Sequence, residues 1–108
     1  MATLSVQSVT TAGLEATYAT AAGGGDEFSN DGDTIVHVKN GSGGDITVTI
    51  ASQIACNQGS THNTAVVVTA GEERFIGPFP VDRYNDSDGM VQLTYSGVTS
   101  LTLRPMKV

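Results

Sequence analysis

Few residues of this chain have the types and spacing that chemistry would need. Asp86-Ser87-Asp88-Gly89 has the spaced carboxylates before a glycine that occur in the middle of a calcium-binding EF-hand loop. The first ligand position of such a loop falls on Tyr84 and its closing position on Tyr95, and neither supplies a carboxylate. Asn30-Asp31-Gly32-Asp33 fails in the same way, so both read as turns whose side chains accept from nearby backbone N–H groups. Cys56 and His62, with His37, offer a nucleophile and base or a soft-metal site. They do not make up the full ligand set of a structural zinc, and there is no Gly-x-Ser-x-Gly or His-Glu-x-x-His. The plainer reading is a partly buried thiol and two surface imidazoles. Gly23-Gly24-Gly25 and Gly41-Ser42-Gly43-Gly44 lack the Lys-Ser/Thr and helix of a phosphate loop. Phe75, Phe79, Tyr84 and Tyr95 have rings that stack on sugar faces, but tryptophan is absent and core packing accounts for Phe75 and Tyr95. No catalytic, metal or cofactor-binding residue is assigned, and the expectation is a protein that is not an enzyme.

Composition narrows the partners. With 11 acidic and 5 basic residues the net charge is −6, and Lys39, Arg74, Arg83, Arg104 and Lys107 are scattered. A nucleic-acid backbone or an anionic membrane calls for clustered cations, so neither is expected as a partner. A single cysteine cannot form an intrachain disulfide and fits assembly in a reducing cytoplasm. The start MATLSVQSVTT lacks the basic and apolar regions of a secretion signal, and no apolar run approaches the ~20 residues that span a bilayer.

The elements that must position these residues read as short strands. Residues 1–9 form a first strand or an extended arm, and residues 10–108 a single domain. Residues 12–22 place Leu14 and Tyr18 at helical spacing, but Gly13, Thr17 and Thr20 reduce this to one helical turn or an irregular extended loop. Residues 26–33 read as a polar turn with Phe28 plugging the core edge. Thr34 to Lys39 points Val36 and Val38 to one face; Asp45 to Ala51 points Ile46, Val48 and Ile50 inward. With the glycine-rich loop between them they read as an antiparallel hairpin. Residues 52–63 read as a long loop or weak edge strand. Thr64 to Thr69, Glu72 to Gly77, Met90 to Ser96 and Ser100 to Met106 follow, the last with Pro105 at an edge. The pattern predicts an all-β fold, an antiparallel β-sandwich or jelly-roll-like barrel of about six to eight short strands.

Residues 70–89 (AGEERFIGPFPVDRYNDSDG) organise the rest. Two prolines bracket Phe79, and each lacks an N–H, so no central ladder passes through both. The chain must bend there, as where a strand leaves one sheet and re-enters another. Residues 30–41, residues 46–50, residues 70–80, Tyr84-Asn85-Asp86 and residues 93–98 together resemble small structural proteins of tailed bacteriophages. The resemblance runs from about Gly24 to Val108 and is to the head-decoration, or cement, proteins. It implies a β-sandwich or jelly-roll subunit, often trimeric, on the outside of the virion capsid, made in the host cytoplasm and bound to the major capsid protein. Candidate contacts are Thr3, Leu4 and Val6 in the arm and Pro78, Phe79, Pro80 and Arg83 at the proline corner. Removal of residues 1–9 is then expected to abolish capsid binding without unfolding the domain. The alternative is a carbohydrate- or receptor-binding β-sandwich module of a phage tail or fibre, which would show an exposed aromatic shelf or a calcium site.

Overall fold

Alternating β-branched and polar residues, broken by glycine and proline, leave the chain little scope for helix. In the computed structural model, which describes residues 2–53 and 63–108, nearly every element is accordingly a strand. The strands are β1 (Ala2–Leu4), β2 (Gln7–Ser8), β3 (Ala19–Thr20), β4 (Asp26–Ser29), β5 (Thr34–Asn40), β6 (Ile46–Ile50), β7 (Thr64–Val68), β8 (Glu73–Ile76), β9 (Met90–Tyr95) and β10 (Leu101–Lys107). One helical turn, α1 (Val81–Tyr84), follows the proline corner. Ten strands among the described residues exceed the six to eight expected, because the N-terminal stretch forms three very short ones. Residues 12–18 form no helix: the chain turns at Thr11-Ala12, is irregular from Gly13 on, and Tyr18 bonds His37. Residues 54–62, with Cys56 and His62, lie outside the described residues.

The strands form a β-sandwich. One sheet has the order β1-β4-β9-β6-β7; the other has β2-β10-β5-β8, with β3 also pairing β10. Between them Phe28, Val36, Val48, Ile50, Leu93 and Leu101 are wholly buried. The expected hairpin of residues 34–51 does not form. β5 pairs with β8 and β10, whereas β6 pairs with β7 and β9 in the other sheet. Their apolar faces meet across the core instead of lying side by side. The loop between them has only to span sheets about 10 Å apart, which a few residues do easily. Asn40 fixes the crossing: its Nδ2 donates to Gly44 and to Val68, both at 2.9 Å, and its Oδ1 accepts from the Ser42 N–H and hydroxyl.

Residues 26–29 are strand, not turn. Asp26 and Phe28 point inward and are fully buried, while Glu27 points outward to Thr3 and Gln92. The buried Asp26 carboxylate accepts from the Tyr95 hydroxyl at 2.6 Å and the Ala22 N–H at 3.1 Å. Gly25 beside it has φ +97°, and a methyl there would lie 2.5 Å from the Leu93 carbonyl oxygen. Two further expectations need correction. The pairing is not wholly antiparallel, since β1 runs parallel to β4 and β2 parallel to β10. Parallel neighbours need a long connection, and β1 and β2 have one because their partners lie far along the chain. Pro105, expected at an edge, is on a central strand. It sits opposite Val36, and on the other side of β10 it falls between the rungs held by β3 and β2, where a missing N–H interrupts no ladder.

Burial, then the bond to Asp26 and its charge, push the Tyr95 hydroxyl well above its ordinary pKa of 10.0. Above that pH the unfolded chain releases this proton and the native chain keeps it, so native stability falls as the pH rises. Urea midpoints measured from pH 8 upward should show this decline, and Tyr95→Phe should flatten it. The variant should also lose about 1–3 kcal/mol at neutral pH, because the buried carboxylate loses a donor.

Candidate interaction site

The proline corner changes sheets as its sequence demands: β8 lies in one sheet, β9 in the other. Gly77, at φ +123°, makes the bend; a methyl there would lie 3.1 Å from Ile35 Cα, Thr34 O and the Phe79 ring. The bend turns Phe79 inward. Its side chain is only 3% exposed, with ring centroids 5.7 Å from both Phe28 and Tyr84. Phe79 is therefore a core residue and not a surface contact. Pro78 and Pro80 remain exposed on either side of it. Arg83 is exposed on α1 with its guanidinium 5.0 Å from the Tyr84 ring, and its carbonyl accepts from the Gln53 N–H at 2.7 Å. A pair of asparagines secures the corner: Asn30 Nδ2 donates to the Phe79 carbonyl at 2.9 Å and to Asn85 Oδ1 at 2.7 Å, and Asn85 Nδ2 returns a bond to the Asn30 carbonyl.

The N-terminal candidates are built into the sandwich more firmly than a free arm would be. Leu4 is 7% exposed in the core; Thr3 stays exposed and donates to Glu27 Oε2 at 2.9 Å. Between them and β2, Val6 lines a cleft of about 240 Å³ with Ser8, Ser29, Asp31, Thr34 and Lys107. Removing residues 1–9 would thus take an edge strand from each sheet and open the core at Leu4, so point substitutions are the cleaner probe.

Both groups of candidates meet at the turn of residues 30–33. Val6 approaches it through the cleft, and the proline corner approaches it through Asn30 and Asn85. Three of the exposed large apolar side chains also gather there. Val108 donates its N–H to the Asp33 carbonyl, and Val9 donates to the carbonyl of Lys107, whose ammonium holds Asp31 at 2.5 Å. Val81 reaches over the turn from α1, 3.6 Å from where a Gly32 methyl would sit. The Lys107 bond, with the Asp33 N–H, keeps the Asp31 carboxyl below its ordinary pKa. The result is an exposed patch of valines and prolines around a small charged turn. Composition alone did not reveal it, because its members come from four separated stretches.

The outer face of the second sheet carries a different cluster. His37 is not a surface imidazole: it is 5% exposed, covered by Tyr18 and stacked against Phe75 at 4.0 Å and 9°. Its Nδ1 meets the Tyr18 hydroxyl at 2.6 Å and its Nε2 meets Glu73 Oε1 at 2.8 Å. Arg104, next to it across the ladder, bonds the Thr17 carbonyl at 2.5 Å and the Ser5 carbonyl at 2.7 Å. Phe75, expected in the core, is 66% exposed, because alternation along β8 sends Ile76 inward and Phe75 out. Among the described residues no three His, Cys, Asp or Glu are grouped so as to hold a metal. The carboxylates of the acidic turns close those turns: Asp86 Oδ1 accepts from the Asp88 and Met90 N–H groups, and Asp31 Oδ1 from that of Asp33.

No family model, curated protein or solved structure matches this chain.

If Phe79 is core and Val81 surface, the two respond differently to truncation. Phe79→Ala should lower the unfolding free energy by about 3–5 kcal/mol. Val81→Ala should stay within about 0.5 kcal/mol of the unsubstituted protein. Urea titrations followed by circular dichroism measure both.

Proposed function

We propose that this protein is a virion structural subunit without enzymatic activity, a decoration or cement protein that binds the outside of a tailed-bacteriophage head. Its partners are the major capsid protein and, in trimers, copies of itself. The observation that carries the reading is the exposed patch of Val9, Val81, Val108, Pro78 and Pro80 around residues 30–33. Grouped apolar residues on a protein surface mark a contact with another protein. The sequence resemblance to cement proteins gives that partner its identity. The mechanism is mass action. A subunit that binds the assembled shell and not its separated parts stabilises the shell by an amount that grows with occupancy. Each contact is small, and the effect comes from many copies across capsomer boundaries.

The test mixes the protein with purified capsids that lack it. It should co-sediment at a fixed ratio to capsid subunits and raise the temperature at which the shell breaks. The double variant Val9→Asp, Val81→Asp should stay in the supernatant, since both side chains are exposed and the fold does not need them. Failure of the unsubstituted protein to bind would overturn the reading.

One observation favours a second reading, a carbohydrate-binding module of a tail or fibre. Phe75 presents a flat, exposed ring whose orientation is fixed by the His37 stack, with Glu73 beside it as a hydrogen-bond acceptor. Aromatic faces of this kind stack on the apolar faces of sugars. A glycan array should then show binding that Phe75→Ala reduces at least tenfold; an array with no signal removes this alternative.

A further inference from the structure

The cleft of about 240 Å³ beside residues 30–33 is lined by Val6, Ser8, Ser29, Asp31, Thr34 and Lys107, which come from both sheets. Thr34, at the start of β5, stands in register with Lys107 of β10, and Lys107 with Ser8 of β2. Neighbouring strands lie about 4.8 Å apart, so a hydroxyl stands on each side of the Lys107 position at roughly that spacing. Ser29 comes from β4 in the other sheet, and Asp31 from the turn that follows it. Thr34 points to a ligand. It is 2% exposed, on the inward face that also buries Val36 and Val38, yet its hydroxyl bonds no other described residue. A buried hydroxyl without a partner is costly, and native proteins leave few of them. The hydroxyls of Ser8 and Ser29 likewise bond no other described residue. The Lys107 ammonium has three donors, and its ion pair with Asp31 leaves donors over.

We propose that this cleft binds a small neutral polyhydroxyl ligand, a single sugar ring. Charge selects the class. Lys107 and Asp31 are bonded to each other on the cleft wall, so an anion meets the Asp31 carboxylate and a cation meets the Lys107 ammonium. A neutral ligand meets neither repulsion. Serine and threonine hydroxyls both donate and accept, and a ligand made of hydroxyls can answer all three of them. The spacing agrees, because alternate hydroxyls around a six-membered sugar ring are about as far apart as neighbouring strands. Lys107 donates to a ring oxygen or hydroxyl. Asp31 accepts from another, since a carboxylate has lone pairs beyond those that Lys107 and the Asp33 N–H occupy. Val6 packs against the core and offers the C–H face of the ring an apolar wall. The volume lies below the ~300–1,000 Å³ of pockets for drug-sized ligands, which suits one ring and not a longer glycan. Phe75 is on the outer face of the second sheet and Thr34 on its inner face, so the two sites are separate. The inference rests on neither the capsid reading nor the Phe75 reading.

The experiment titrates the isotope-labelled protein with glucose, galactose, mannose and N-acetylglucosamine, each into the millimolar range, and follows the backbone amide signals. At least one sugar should move the signals of Ser8, Ser29, Thr34 and Lys107 along a saturating curve. Thr34→Val keeps the side-chain shape, removes the hydroxyl and breaks no bond to a described residue. It should fold as the unsubstituted chain does, checked by circular dichroism, and bind that sugar at least tenfold more weakly. Phe75→Ala should leave the curve unchanged. Signals at the cleft that stay still with every sugar overturn the proposal. So does binding that Thr34→Val leaves intact or that Phe75→Ala removes. A stronger response at the cleft to sodium phosphate than to any sugar also overturns it, because charge would then decide the occupant.

Discussion

The chain repeatedly leaves one sheet and enters the other, and each crossing must be held without a continuous ladder. Asn40 shows how this is done. Its amide is buried, yet both donors and the acceptor oxygen are used, on Gly44, Val68 and Ser42, so the loop and two sheets are fixed by one side chain. A buried amide left without partners would cost several times what one bond contributes, which makes such a site all-or-nothing. Asn30 plays the same part between the proline corner and the turn after β4, and Asp26 between β9 and the turn before β4. The apolar core supplies most of the driving force, but these polar ties decide which strands lie next to which.

The same geometry separates the surface into different kinds of ground. Where Ser5 to Tyr18 crosses the second sheet, Arg104 and His37 are covered and bonded. Around residues 30–33 the reverse holds: short side chains and bonded turns leave valines and prolines standing proud. Phe75 stands beside His37 as an exposed ring stacked on its buried imidazole.

Much of the fold was legible because alternation is local. Val36 and Val38, Ile46 to Ile50, Val91 and Leu93, and Leu101 and Leu103 announce strands and their inward faces without knowledge of neighbours. Pairing was not legible. Asn40-Gly41 suits a hairpin as well as a crossing, and the bond to Val68 that decides between them lies far along the chain. β4 was hidden for a similar reason, since Asp26 looks like a turn residue until its partner Tyr95 is in place. At the candidate site Pro78, Pro80, Arg83 and Thr3 are exposed. Phe79 and Phe75 changed places. Which of two nearby rings faces inward depends on one residue of strand parity and on the bend at Gly77, and neither is a property of composition.

The position of β10 has a consequence for the order in which the molecule is made. It is the last described strand in sequence and a central one in space, with β5 along one side and β3 and β2 along the other. A chain emerging from the ribosome can pair β6 with β7, and β5 with β8, while later residues are still being added. β2 and β3 precede all of these in the chain and have no template until Leu101–Lys107 appears. Contacts so distant in sequence are slow to form, because loop closure precedes the interactions that reward it. Until β10 arrives β5 has a ladder partner along only one edge, and that sheet waits on Leu101–Lys107.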